Sequence, residues 1–129
     1  MPRVLIADDD PGIVETVSVR LQMMGIESDT ANSGRSALRK ICERTCADRL
    51  YDVVIVDISM PDIDGWHVLK AIKNNPLWEA IKVVVISGFA DSPSDLMRII
   101  EFDGVFVEKR AGFIDTVGEV VKRVLENGD

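Results

Sequence analysis

The chain has 129 residues, of which 47% are hydrophobic and only 5% aromatic, so residues 1–129 are expected to form a single domain with a mostly aliphatic core. Its 22 acidic and 15 basic residues give a net charge of −7, which disfavours direct binding to nucleic acid or to an anionic membrane surface. We recognise no secretory signal and no apolar stretch of about 20 residues, so a reduced, cytoplasmic protein is expected.

Short apolar runs alternate with stretches of helical period along the chain. The runs are rich in β-branched residues, which favour strands. The expected strands cover residues 4–7, 26–31, 53–56, 83–86 and 105–107. Five strands alternating with five helices imply an α/β domain, in which helices cover both faces of a parallel sheet.

The helical stretches have recognisable beginnings and ends. Asp10 followed by Pro11 begins the first helix and Gly25 ends it, because proline suits the first turn and glycine the residue after the last. Ser33 is expected to cap the second helix, the third ends at residues 74–76, and residues 92–95 resemble a capping box for the fourth. The apolar positions with helical spacing are Ile13, Val17, Leu21 and Met24; Ala37, Leu38 and Ile41; Val68, Leu69 and Ile72; Leu96, Met97, Ile99 and Ile100; and Ile114, Val117, Val121 and Val124.

The two cysteines, Cys42 and Cys46, lie one helical turn apart in the second helical stretch. We expect them to be buried or half-buried packing residues, because two thiols alone fall short of a zinc site. Residues 44–50 are predicted to form a polar connection from this helix to the third strand. His67, the only histidine, is predicted to be a surface residue rather than a ligand.

Carboxylates follow the first and third predicted strands. Residues 4–7 run into Asp8, Asp9 and Asp10, and residues 53–56 run into Asp57. Because the carboxyl ends of parallel strands meet at one edge of a sheet, these side chains converge if the two strands are neighbours. Only a cation or bound protons would make such a cluster tolerable. Asp10 is expected instead to cap the first helix.

Further residues of note stand at or near the ends of the predicted strands. The whole set is Asp8 and Asp9 after the first strand, Asp57 after the third, Met60, Pro61, Asp64 and Gly65 beyond it, Ser87 after the fourth, Phe106 in the fifth and Lys109 at its end. Any one of these residues is a weak signal, but their order along the chain is specific. Together they resemble the residues of receiver domains in the two-component response-regulator family. The resemblance covers essentially the whole chain and implies a flavodoxin-like fold with the strand order 2-1-3-4-5.

The resemblance implies a phosphoacceptor role for Asp57. In receivers the corresponding aspartate takes a phosphoryl group from a phosphohistidine, which implies a sensor histidine kinase or a phosphotransfer protein as partner. Asp9, Asp57 and the backbone carbonyl of Ser59 would bind Mg²⁺, and Asp8 would hold a metal-bound water. The chain would be a signalling switch rather than an enzyme, and a longer parent protein could carry a covalently linked output or kinase domain.

The same resemblance assigns roles to three more residues. Lys109 would place its ammonium beside the phosphoryl group, and Ser87 would donate its hydroxyl to it. Ser87 and Phe106, where tyrosine is commoner in the family, would then move and change a partner-binding surface on the fourth helix, fifth strand and fifth helix. For Phe106, a plain core position is an equal alternative.

The sequence departs from the family pattern at two places. Arg110 follows Lys109, where receivers usually have a proline after a cis peptide bond. A cis bond before another residue type costs about 2.5–4 kcal/mol, so a trans bond is predicted, with Gly112 absorbing the altered path. Such a path could move the ammonium away from Asp57. Gly88 stands where a small residue with a β-carbon is usual, and we expect it to leave the acceptor more open to small phosphodonors.

Two other functions compete with the receiver interpretation. Residues 62–65 match the DxDG signature of haloacid-dehalogenase-like phosphohydrolases, but that motif needs its first aspartate directly after a buried strand. The predicted strand delivers Asp57 there instead of Asp62. The other alternative is a receiver-like adaptor that works without phosphorylation. It predicts loss of the acidic pair, the acceptor or the lysine, all of which are present.

Overall fold

The computed structural model describes residues 3–60, 62–88, 93–101 and 104–127. Strands and helices alternate through these residues as predicted. The strands are β1 (Arg3–Ala7), β2 (Glu27–Ala31), β3 (Val53–Asp57), β4 (Lys82–Ser87) and β5 (Val105–Glu108). The helices are α1 (Pro11–Met23), α2 (Gly34–Cys46), α3 (Gly65–Asn74), α4 (Pro93–Glu101) and α5 (Phe113–Asn127), and an unpredicted 3₁₀ turn (Pro76–Trp78) precedes β4.

Within the described residues, the five strands form one parallel sheet in the order β2-β1-β3-β4-β5, which confirms the predicted topology. β1 and β3 are neighbours, and Ala7 lies opposite Val56 in their register. The next residues along the two strands, Asp8 and Asp57, therefore lie side by side at the carboxyl edge of the sheet.

Alternate residues of the central strands face opposite sides of the sheet, as the two-residue period of a strand requires. Helices α2, α3 and α4 cover the side that carries Leu5 and Val54. Helices α1 and α5 cover the side that carries Ile6 and Ile55. Because helices cover both sides, β3 is buried along its whole length, which explains its uninterrupted apolar sequence.

The predicted helix ends are confirmed where the structure describes them. The Asp10 carboxylate accepts hydrogen bonds from two amides in the first turn of α1, and Gly25 takes φ +78° beyond the end of that helix. Ser33 Oγ accepts a hydrogen bond from the Ser36 amide at 3.1 Å and caps α2. Ser92, in the predicted capping box of α4, lies outside the described residues.

Most of the apolar positions predicted from helical spacing face the sheet. All those whose side chains the structure describes are buried or half-buried, except Met97 and Ile100 on α4. These two are 56% and 67% exposed, whereas Ile99 between them is buried. The side chain of Leu96 lies outside the described part of the chain. None of the described helices is long and apolar enough to cross a membrane.

The prediction that Cys42 and Cys46 are buried or half-buried packing residues is wrong, because both are exposed. The buried face of α2 carries Ala37 and Ile41, and the cysteines lie on a neighbouring face toward solvent. The spacing of the cysteines was compatible with either face, and the contact of the helix with the sheet decided between them.

The predicted connection at residues 44–50 begins too early, because α2 continues through Cys46. Thr45 holds the additional turn in place. Its hydroxyl donates to the Ile41 carbonyl at 2.7 Å and accepts a hydrogen bond from the buried Trp78 indole at 2.8 Å. The end of the helix thus depends on a residue 33 positions further along the chain.

Candidate functional site

Three aspartates meet at the carboxyl edge of the sheet, as predicted. Asp8 is fully buried and Asp57 is 4% exposed, whereas Asp9 is open to solvent. One carboxylate oxygen from each of the three lies within 4.8 Å of the others. Ionised carboxylates at such distances repel one another, so this cluster requires a cation or a proton.

Lys109 brings a positive charge to the cluster. Its ammonium nitrogen lies 3.0 Å from Asp57 Oδ2 and 2.9 Å from Asp8 Oδ2. The backbone positions the lysine, because β5 pairs with β4 and the Lys109 amide donates to the Ser87 carbonyl at 2.8 Å. Strand pairing therefore directs one ammonium group to carboxylates from two other strands.

The Lys109–Arg110 peptide bond is trans, as predicted, since the described residues contain no cis bond. The ammonium nevertheless reaches Asp57. The Arg110 amide donates to the Glu108 carbonyl at 2.9 Å, and Gly112 takes φ +83°, a conformation that favours glycine. The chain thus changes direction after the lysine, which leaves the lysine side chain at the site.

The two buried carboxylates use their oxygens in the same way. Asp8 Oδ1 accepts a hydrogen bond from the Asp10 amide at 3.0 Å, and Asp57 Oδ1 accepts one from the Ser59 amide at 3.3 Å. Both Oδ2 atoms face Lys109. The contact with Asp57 is a hydrogen bond at 3.0 Å, and the contact with Asp8 is an ion pair at 2.9 Å. Two buried carboxylates therefore share one ammonium group.

The charges of the cluster are not balanced. Burial raises the pKa of Asp8 and the Asp57 charge adds to the rise, while Lys109 opposes it. Burial acts to lower the pKa of Lys109, but the two carboxylates more than offset this and raise it. The ammonium therefore stays charged at neutral pH and faces an excess of acidic groups. A set of oxygen donors with excess negative charge suits a hard divalent cation such as Mg²⁺.

Ser87 and Phe106 lie on the strands next to the acidic cluster. Ser87 ends β4, which pairs with β3, and it is 2% exposed. At Gly88, a β-carbon would meet nothing within 4 Å, so no close contact requires a glycine there. Phe106 on β5 is half-buried against the core on the side of α2, α3 and α4, which is compatible with a core position. The roles predicted for these residues stay predictions.

Two close backbone contacts hold the loop that follows β3. A β-carbon on Gly65 would overlap the Asp57 carbonyl, and one on Gly34 would overlap the Ile63 carbonyl. The first residues of α3 and α2 therefore pack closely against the backbone of the loop that carries Ser59. The role of Gly34 was not predicted. A glycine at the first position of a helix, where most residues are better helix formers, was the available signal.

The acidic motif at residues 62–65 does not form a second acidic site within the described residues. Asp62 is exposed in the loop with φ +66° and does not follow a strand. Asp64 caps α3, since Oδ1 accepts a hydrogen bond from the His67 amide at 3.0 Å. Partial burial acts to raise the pKa of Asp64, but hydrogen bonds from His67 lower it. His67 is exposed, as predicted. Pro61 lies outside the described residues.

The model of the response regulator receiver domain family matches residues 4–112, so the chain belongs to this family. Chemotaxis protein CheV1 of Helicobacter pylori is 32% identical over 124 residues, which cover 95% of this chain and 38% of CheV1. Transcriptional regulatory protein KdpE of Mycobacterium tuberculosis is 29% identical over 127 residues, which cover 98% of this chain and 53% of KdpE. The chain thus spans about half or less of these two relatives.

A solved structure of similar length has the same fold. The response regulator protein TrrA of Thermotoga maritima, crystallised in complex with Mg²⁺–BeF, is 34% identical to this chain. Its structure matches with a TM-score of 0.79 over 96% of this chain and 99% of the TrrA chain.

Proposed function

We propose that Asp57 accepts a phosphoryl group from a phosphohistidine of a sensor histidine kinase or phosphotransfer protein. The chain would act in the cytoplasm as a signalling switch rather than as an enzyme. The observation that carries this proposal is the Lys109 ammonium, which lies within 3.0 Å of oxygens of both Asp57 and Asp8. Helix capping or solvation would not require residues from three strands to meet in this way.

Asp57 is placed to act as the nucleophile. Its Oδ1 is held by the Ser59 amide and its Oδ2 by the Lys109 ammonium, so the carboxylate is already oriented. A carboxylate oxygen forms the new O–P bond as the N–P bond of the phosphohistidine breaks, and the imidazole nitrogen keeps the electron pair of that bond. Such a transfer depends mainly on in-line positioning and on cations near the phosphoryl oxygens.

Asp9, Asp57 and the Ser59 carbonyl would hold Mg²⁺, with Asp8 acting through a bound water. The burial of Asp8, which shares the Lys109 ammonium with Asp57, supports this assignment, as does the close approach of the three carboxylates. When bound, Mg²⁺ would supply positive charge to the carboxylates and to the phosphoryl oxygens. The Mg²⁺–BeF complex of TrrA supports the same choice of metal.

Lys109 and Ser87 would receive the phosphoryl oxygens. The lysine is a compact cation that already contacts the acceptor, and Ser87 ends the strand beside it. Movement of Ser87 and Phe106 would then alter the surface of α4, β5 and α5. Met97 and Ile100 are exposed apolar side chains on the α4 part of this surface, which suits contact with a protein partner.

The output of the switch depends on what the domain is joined to or binds. CheV1 and KdpE are both longer than this chain, which spans 38% and 53% of them. A covalent link of this domain to an output or kinase domain is therefore part of the proposed function.

The acceptor assignment is tested by incubation with a small acyl phosphate and Mg²⁺, followed by intact mass measurement. The wild-type chain should gain one phosphoryl group, which hydroxylamine should remove because the product is an acyl phosphate. Asp57→Asn removes the nucleophile and should abolish the gain.

Asp62→Asn is the matched control for this experiment. Asp62 lies in the loop after the same strand and is exposed, so its variant should be phosphorylated like the wild type. Equal modification of the wild type and Asp57→Asn would refute the acceptor assignment. Loss of modification in Asp62→Asn would instead favour a phosphohydrolase-like use of residues 62–65.

A further inference from the structure

A second polar cleft lies away from the acidic cluster, between β2, the end of α2 and the segment before β3. Its volume is about 350 Å³, which is at the small end of the range for small-molecule sites. The charged and polar residues that line it are Asp29, Lys40, Glu43, Arg44, Arg49 and Tyr51. Three cations thus face two carboxylates in a chain whose net charge is −7.

The Arg44 side chain makes no hydrogen bond or ion pair with any described residue. Its Nε atom is buried without a hydrogen-bond partner, and its guanidinium lies 5.0 Å from the centre of the Tyr51 ring. The contact with Tyr51 covers Nε, and no carboxylate within the described residues neutralises the guanidinium. Its terminal N–H groups are therefore the donors available to a ligand in the cleft.

An arginine near the end of a helix often donates hydrogen bonds to the last carbonyls, but backbone amides donate those hydrogen bonds in α2. The last carbonyls of α2 accept hydrogen bonds from the amides of Ala47, Asp48 and Arg49, and the Arg44 carbonyl receives the last of these at 2.8 Å. Asp48 takes φ +59°, which turns the chain back toward the helix. Arg49 is thereby brought to the same cleft, and its guanidinium also has no described partner.

The carboxylates of the cleft do not neutralise these arginines. Asp29 accepts a hydrogen bond from the Tyr51 hydroxyl at 2.7 Å and pairs with the Arg3 guanidinium at 3.4 Å. Glu43 is exposed and forms no ion pair with the described residues. Lys40 donates to the Thr30 carbonyl, which accepts a hydrogen bond but does not cancel the charge of the ammonium.

We propose that this cleft binds a phosphate group carried by a small molecule. Arginine donates two parallel hydrogen bonds to phosphate oxygens, and a lysine beside it adds a point charge. Arg44 would use its terminal N–H groups, and Arg49 and Lys40 would add their charges from the other residues that line the cleft. The site lies on a different part of the sheet from Asp57, so it is independent of the proposed phosphoacceptor.

Titration with inorganic phosphate, without Mg²⁺ and at constant ionic strength, tests the proposal by ¹H–¹⁵N NMR. Saturable shifts are expected for the amides of residues 43–51. The indole N–H of Trp78 should also shift, because it donates to Thr45, the neighbour of Arg44. The same response is expected in Asp57→Asn, which separates this site from the proposed phosphoacceptor.

Arg44→Gln and Arg49→Gln should each weaken phosphate binding by roughly tenfold, as expected for loss of a charge-assisted hydrogen bond. Arg35→Gln and Arg39→Gln are the matched controls, because both residues are exposed on α2 but do not line the cleft. Arg49 is exposed, so its variant tests the site even if Arg44→Gln disturbs folding. Equal affinities in all four variants, or equal shifts with chloride, would overturn the proposal.

Discussion

Two polar clusters lie on the same sheet and are built in opposite ways. At the carboxyl edge, two buried carboxylates, Asp8 and Asp57, share one cation, Lys109. On the edge strand β2, each oxygen of Asp29 has a donor, from the Tyr51 hydroxyl and from the Arg3 guanidinium. The first cluster carries an excess of negative charge, whereas each oxygen of the Asp29 carboxylate has a hydrogen-bond donor.

This difference predicts opposite effects of the two carboxylate clusters on stability. A carboxylate whose oxygens have hydrogen-bond donors contributes to stability, whereas buried carboxylates in excess over their cations cost free energy. The acidic cluster is therefore expected to reduce the stability of the metal-free protein, and the Asp29 cluster to increase it. Removing a carboxylate from the acidic cluster should raise the free energy of unfolding, and removing a hydrogen bond from the Asp29 cluster should lower it. Removing Lys109 should also lower it, because the lysine is the cation of the acidic cluster.

The largest effect is expected for Lys109→Ala. Removing the lysine leaves two buried carboxylates without a cation, so the free energy of unfolding should fall by about 3 kcal/mol in metal-free buffer. Urea unfolding at neutral pH measures this loss. Lys122→Ala, on the exposed face of α5, is the control and should change stability by less than about 0.5 kcal/mol. A loss no larger than that of the control would show that the ammonium does not compensate the carboxylates.

Tyr51→Phe should have the next largest effect. It removes the hydroxyl that donates to Asp29 and leaves a carboxylate oxygen without that donor, which costs about 2 kcal/mol. The measurement is again urea unfolding, combined with Asp29→Asn in a double-mutant cycle. If Tyr51→Phe costs as much in the Asp29→Asn chain as in the wild type, the hydrogen bond is not the source of the loss.

The same tyrosine predicts a pH dependence. Burial raises the pKa of Tyr51 above its ordinary value of 10.0, and the hydrogen bond to Asp29 raises it further. Because the folded chain holds this proton more tightly than the unfolded chain, the stabilisation is complete below pH 10.0 and is lost as the pH rises above it. The slope should reach about 1.4 kcal/mol per pH unit. Tyr51→Phe, compared with the wild type on either side of this pH, should lack that component.

Asp8→Asn should have the smallest effect on stability and the opposite sign. It removes a buried charge that faces Asp57, so the free energy of unfolding should rise by about 1 kcal/mol in metal-free buffer. The same variant should bind Mg²⁺ more weakly, as measured by amide shifts or Trp66 fluorescence during a metal titration.

Asp62→Asn serves as the control for this variant, because it removes an exposed carboxylate from the nearby loop. It should change neither stability nor Mg²⁺ binding appreciably. A decrease in stability for Asp8→Asn would place the acidic cluster in the same class as the Asp29 cluster and contradict the comparison.

The strands and the acidic residues at their ends could be predicted because the signals are local. β-Branched runs define β1 and β3, and chain continuity then places Asp8 and Asp57 at the ends of those strands. The order of the strands was not contained in any such pattern and came from the resemblance to receiver domains. The trans bond after Lys109 was predictable, since it follows from the energetics of a single peptide bond.

Other features depended on contacts between distant segments. The exposure of Cys42 and Cys46 is set by how α2 rotates against the sheet, and the last turn of α2 is held by Trp78. Gly34 is needed because the Ile63 carbonyl lies against it. None of these contacts produces a periodic pattern in the sequence, because the two partners come from different helices, strands or loops.

The sequence by itself determined which residues end the strands, and therefore which side chains were available for a site. Only the tertiary structure decided how they are paired: Lys109 contacts Asp57 across 52 residues of sequence, and the same ammonium group contacts Asp8. The physical reason is that residue type and local period determine a strand and its ends. Distances between ends, and the ion pairs made there, arise only when the strands pair and the helices pack on them.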